Sequence, residues 1–177
     1  MIGIYKNYIK EDIYHNKLLP KLRKLYYYDH NETILDCISI HIRCGDLYNN
    51  MLEYGFTFEY YKKIIDILNL HFNKQINIYC ENKNYQHVYK LKEVKNVEVY
   101  IGGINEFSNH FNCLVNSKVL ILSPSSLSLF AGYLSNGLVL IDNKSINFRN
   151  NLFHSSDGVI ENFDNISEKI ELIKTYL

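Results

Sequence analysis

The sequence predicts an α/β fold: a three-layer α/β/α sandwich around a mostly parallel sheet of about five strands. Three observations lead there. Five short apolar runs, at 35–42, 76–80, 96–101, 118–122 and 138–142, alternate with stretches of helical period. Several of these runs lack a polar side, as strands buried on both faces require. Serine, threonine and glycine mark the boundaries between the two kinds of segment.

Residues 4–28 are rich in Ile, Leu, Tyr and Lys at helical spacing, and Pro20 divides them into two short predicted helices. LDCISIHI (35–42) is the first strand, followed by a polar loop to Gly55. Thr57 caps a helix whose Phe58, Tyr61, Ile64, Ile65, Leu68 and Phe72 share one face. INIYC (76–80) is a strand ending at Glu81, residues 84–94 form a weaker helix, and NVEVYI (96–101) is a strand stopped by Gly102 and Gly103. Residues 105–116 are helical through Phe107, Phe111 and Leu114, and KVLIL (118–122) is the next strand. SPSSLSLFAGYLSNG opens with helix-capping serines and closes on Gly137. LVLID (138–142) is the fifth strand, 143–158 reads as a loop, and ISEKIELIKTYL closes the chain as an amphipathic helix. The alternation is Rossmann-like, and 177 residues suit one domain: helical segment 1–30, core 34–142, loop and last helix 143–177.

Composition narrows function. The chain is 47% hydrophobic and 21% charged with a formal net charge of zero, so it offers no broad attraction for nucleic acid, and any anion site is local. Cys37, Cys44, Cys80 and Cys113 include no C-x-x-C pair, which suggests reduced packing thiols and no metal. No signal peptide or membrane span is recognised, so a soluble, cytoplasmic or otherwise intracellular protein is expected.

In open parallel sheets, ligands bind beyond the carboxyl ends of the strands. His41, Arg43, Glu81, Gly102, Gly103, the serines at 123–128 and Asp142 all fall at such ends. Arg43 can fork two hydrogen bonds onto a phosphate, or it can form an ion pair with Asp46. Gly45 permits a sharp turn or close ligand approach, and Asp46 serves as anchor or cap. His41 is a donor to a phosphate or ribose, or a satisfied core histidine. Ser125, Ser126 and Ser128 stand at a helix start, where amides and hydroxyls favour an anion, or they are caps alone.

HIRCGD (41–46) resembles the H-x-R-R-G-D motif of α-1,2-fucosyltransferases and of their α-1,6- and protein O-fucosyltransferase relatives. IYCEN (78–82) is similar to the family's strand ending in F-S-D-D, and LILSPSSLSLFAGYL (120–134) to its I-I-S-N-S-T-F-S-W-W-A-A-Y-L segment. The resemblance covers roughly residues 35–142 and implies the C-terminal donor-binding lobe of a two-lobed GT-B enzyme. It implies that Arg43 binds the pyrophosphate of GDP-fucose with His41 beside it, that Ser125, Ser126 and Ser128 line the nucleotide pocket, and that Glu81 lies near the sugar or ribose. It further implies transfer of fucose to a glycan acceptor with inversion and without metal or cofactor. Cys44 stands where the motif has its second arginine, Pro124 replaces the asparagine, Leu129 and Phe130 replace the tryptophans, and His110 replaces a usual acidic residue.

The resemblance makes Arg43 the group that stabilises the departing diphosphate; Asp46 and Glu81 are candidate bases. About forty residues precede the motif, where the family has an acceptor lobe, so a homo-oligomer or partner chain is expected to supply that lobe. A noncatalytic nucleotide-sugar-binding domain and a purely structural α/β domain are the competing readings.

Overall fold

Six strands form one sheet: β1 (Leu35–Ile42), β2 (Ile76–Cys80), β3 (Val97–Ile101), β4 (Ser117–Leu122), β5 (Leu138–Asp142) and β6 (Ile160–Phe163). Their order is β3-β2-β1-β4-β5-β6, and every neighbouring pair is parallel. This computed structural model describes residues 12–29, 33–44, 48–81, 86–103, 105–148 and 160–177. Gly45 and Asp46 lie outside the described residues. The helices are α1 (Asp12–Asp29), α2 (Tyr48–Glu53), α3 (Phe58–His71), α4 (Gln86–Tyr89), α5 (Phe107–Val115), α6 (Ser126–Leu134), α7 (Asn143–Phe148) and α8 (Ile170–Lys174). Two 3-10 turns, Lys90–Glu93 and Ile166–Lys169, extend α4 and introduce α8.

The period of two along each strand divides the core into two layers. Ile38, Ile40 and Ile42 of β1 join Ile76, Ile78, Val119, Ile121, Leu138 and Leu140 against Tyr61, Ile64, Ile65 and Leu68 of α3. On the opposite face, Tyr79, Leu120, Leu122, Val139 and Ile141 meet Leu114 and Val115 of α5 and Ala131 and Leu134 of α6. Leu22, Tyr26 and Tyr27 of α1 pack onto that second layer. Thr57 caps α3 as expected, its hydroxyl accepting from the Tyr60 amide at 3.3 Å.

Four features differ from the sequence reading. The sheet has six strands, not about five, and is wholly parallel among the described residues; IENF at 160–163 is too short and polar to announce itself, yet Ile160 and Phe163 are buried. The helix read as broken at Pro20 is continuous from Asp12 to Asp29. Proline removes one backbone hydrogen bond there, its ring is exposed, and tertiary bonds hold the following turns. Arg23 donates through Nε to the Tyr133 carbonyl and through Nη2 to the Ser135 carbonyl, both at 2.9 Å, and so closes the C-terminus of α6. Short helices α2 and α7 occupy stretches read as loop. All four cysteines are free; Cys37, Cys44 and Cys80 are buried and Cys113 partly so. No helix among the described residues is long and apolar enough to cross a membrane.

Candidate functional site

The chain builds β1, β2 and β3 outward in one direction, then returns to lay β4, β5 and β6 on the other side of β1. The connections leaving β1 and β4 therefore diverge, and a crevice opens between their carboxyl ends. His41 and Ser123 stand on its two sides, with His41 Nδ1 2.6 Å from Ser123 Oγ. Both are buried, at 2% and 1% exposure. Burial lowers the His41 pKa to about 4; Glu81 opposes the shift, while Arg43 and His110 reinforce it. The imidazole is therefore neutral at physiological pH.

Arg43 and Glu81 follow directly from the adjacent strands β1 and β2. Arg43 Nη1 donates to Glu81 Oε1 at 2.6 Å, and the Cys44 amide donates to Oε2 at 2.8 Å. Glu81 thus fixes the backbone beyond β1 and the guanidinium that the same turn presents. Both side chains keep about a quarter of their surface in contact with solvent, 26% for Arg43 and 29% for Glu81. The ion pair left open between Arg43 and Asp46 has its described counterpart in Glu81. Cys44, buried against Cys80, has its thiol pKa pushed well above the ordinary value by the Cys80 hydrogen bond and by burial, so it contributes no charge.

The serine segment folds as a locked turn into α6. The Ser125 amide donates to the Ser123 carbonyl at 2.7 Å, the Ser123 amide donates to Ser128 Oγ at 3.0 Å, and the Ser128 amide donates to Ser125 Oγ at 3.5 Å. Ser125 and Ser128 are buried and engaged as cap and loop lock, whereas Ser126 is exposed on the first turn. The Ser125 and Ser128 hydroxyls thus shape the loop that leads into α6.

Beside this network lies a cleft of about 260 Å³ between the ends of β1–β3 and α5, lined by His41, Tyr79, Glu81, Gly102, Phe107 and His110, with Leu114 and Leu127 beneath. His110 sits edge-on to Tyr79 and Tyr100, with ring centroids 5.2 and 6.2 Å apart, and Tyr79 stacks on Tyr100 at 5.1 Å. Its ring occupies the space above Gly102, where a Cβ would fall 2.3 Å from His110 Cε1. Burial lowers the His110 pKa against the pull of Glu106, so this second imidazole also favours neutrality. His110 was marked in the sequence only as a departure from a motif; its position on the first turns of α5, just beyond β3, is what brings it to the cleft.

Asp142, at the end of β5, accepts from Tyr60 Oη and from the Lys144 amide, each at 2.6 Å, and so ties α3 to the sheet away from the cleft. Among the described residues no cluster of three or more His, Cys, Asp or Glu side chains could hold a metal. The structure brings His41, Arg43, Glu81 and the serine turn into one neighbourhood. A scan against protein-family models, a search of curated proteins and a search of solved structures each return no match to the chain.

Proposed function

We propose that the chain is a fucosyltransferase-like donor lobe that holds GDP-fucose at the carboxyl edge and takes part in its metal-independent, inverting transfer to a glycan acceptor. The carrying observation is the guanidinium of Arg43, fixed by Glu81 at the sheet's switch point beside the His41–Ser123 bridge and the start of α6. A diphosphate there meets a cation and a helix N-terminus together. The neighbouring cleft, largely apolar and walled by aromatic rings, suits the nucleoside.

In this scheme an acceptor hydroxyl attacks the anomeric carbon as its bond to the diphosphate lengthens through an oxocarbenium-like transition state. Charge grows on the leaving phosphate, and Arg43 stabilises it; one preorganised donor of this kind is worth roughly 3 to 4 kcal/mol of barrier. Both Glu81 oxygens are engaged, so Glu81 is better suited to positioning Arg43 than to accepting a proton. That leaves Asp46 as the candidate base. Exposed Leu52, Tyr54 and Phe107 follow the carboxyl ends of β1 and β3, which supports closure of the site by a partner chain or a second copy.

A second reading, a lobe that binds nucleotide sugar without turnover, is favoured by buried, uncharged Cys44 where the resembling motif has an arginine. Incubation with GDP-fucose and a panel of glycans, read by mass spectrometry, separates the two. Fucosylated product that vanishes in Arg43→Ala supports the enzyme; binding without product supports the second reading.

A further inference from the structure

The formal charge of the chain is zero, but it is segregated. Residues 1–29 hold six of the nineteen basic residues and three of the nineteen acidic ones, so this segment carries +3 and the remainder −3. The helical period of α1 then sorts its side chains by direction. Leu19 is buried, Leu22, Tyr26 and Tyr27 pack on the sheet layer, and Arg23 is engaged by two carbonyls of the chain leaving α6. Pro20, Lys21, Lys24, Leu25 and Tyr28 form a contiguous exposed stripe on the opposite side. Leu25 is 68% exposed and Tyr28 86%. A shallow depression of about 390 Å³ lined by Arg23, Lys24, Tyr27, Tyr28 and Asn136 adjoins that stripe.

We propose that the outward face of α1 docks on an anionic phospholipid surface. Lys21 and Lys24 meet the headgroup charge, while Leu25 and Tyr28 reach the headgroup–acyl boundary. Charge complementarity selects this occupant. A second copy joined through the same face about a two-fold axis would bring like lysines together, and a nucleic-acid backbone offers nothing to the exposed leucine. The inference uses none of the cleft residues and stands independently of the donor-site reading.

The test is flotation of the full chain with vesicles of phosphatidylserine and phosphatidylcholine, against phosphatidylcholine alone, at low and high salt. The chain is expected to float with the anionic vesicles only, and less so at high salt. Each lysine near such a surface contributes roughly fivefold to partitioning, so Lys21→Gln with Lys24→Gln lowers it about 25-fold. Leu25→Ser with Tyr28→Ser also lowers it, with the salt dependence retained. These exposed substitutions leave the thermal unfolding midpoint and nucleotide binding unchanged. Equal flotation with neutral vesicles, no flotation of the unaltered chain, or unchanged partitioning of the lysine variant overturns the proposal. So does a self-association lost in Tyr28→Ser, or binding to duplex DNA, without vesicle binding.

Discussion

His41 is a buried base between a serine hydroxyl 2.6 Å away and a carboxylate 3.9 Å away, and its depressed pKa ties folding to pH. The unfolded chain binds a proton near pH 6.5, while the folded chain resists it down to about 4. Stability is therefore fully present above pH 6.5 and falls as pH drops toward 4, by roughly 3 kcal/mol for this one group. His110 contributes in the same direction. Urea unfolding across that range measures the slope, which is expected to flatten in His41→Asn. Glu81 makes a different prediction, because both of its oxygens accept bonds. Glu81→Ala strands the Cys44 amide and loosens Arg43, costing on the order of 1 to 3 kcal/mol, whereas Glu81→Gln, which retains an acceptor, costs less. The type of residue at each of these positions was evident from the sequence, but its partner was not. Arg43 and Glu81 are 38 residues apart in sequence and meet only because β1 and β2 are neighbours in register, with Ile42 opposite Cys80.

At the scale of elements, strands β1, β2, β4 and β5 were legible because burial on both faces leaves a largely apolar run, and β3 through its β-prone residues stopped by Gly102 and Gly103. Edge strand β6 was not, since four residues with buried ends and a polar middle carry too little pattern. The proline in α1 was overread: local propensity predicted a break, and packing of Leu22, Tyr26 and Tyr27 overrode it. Two close approaches are testable. Gly102→Ala drives a methyl into the His110 ring and is expected to cost roughly 1 to 3 kcal/mol, recovered largely in Gly102→Ala with His110→Ala. At Gly137 a Cβ would fall 2.2 Å from the Ser117 carbonyl oxygen, a backbone atom with nowhere to move, so no second-site truncation is expected to rescue Gly137→Ala. Ser125→Ala removes the cap of α6 and costs about 1 kcal/mol in thermal unfolding, separating the role of its hydroxyl in the turn from any contact with ligand.

For the whole molecule, the strand order creates one switch point, and the sequence places its polar residues of unusual type around it: His41 and Arg43 after β1, Glu81 after β2, His110 beyond β3, and the serine turn after β4. Apart from His110, that gathering on one edge followed from counting strand ends, so the shared edge of these residues was legible before their geometry. The cleft itself was not, because it depends on how α5 leans over Gly102 and on the stacking of Tyr79 against Tyr100. The central claim is that Arg43 anchors a guanine nucleotide diphosphate at this edge. Calorimetric titration with GDP-fucose, GDP and UDP, repeated on Arg43→Ala, measures it most directly. The account predicts binding of both guanine ligands in preference to UDP, weakened about 10- to 150-fold in the variant by loss of a charge-assisted hydrogen bond. Absence of binding at roughly millimolar ligand, or an affinity unchanged by Arg43→Ala, would contradict it.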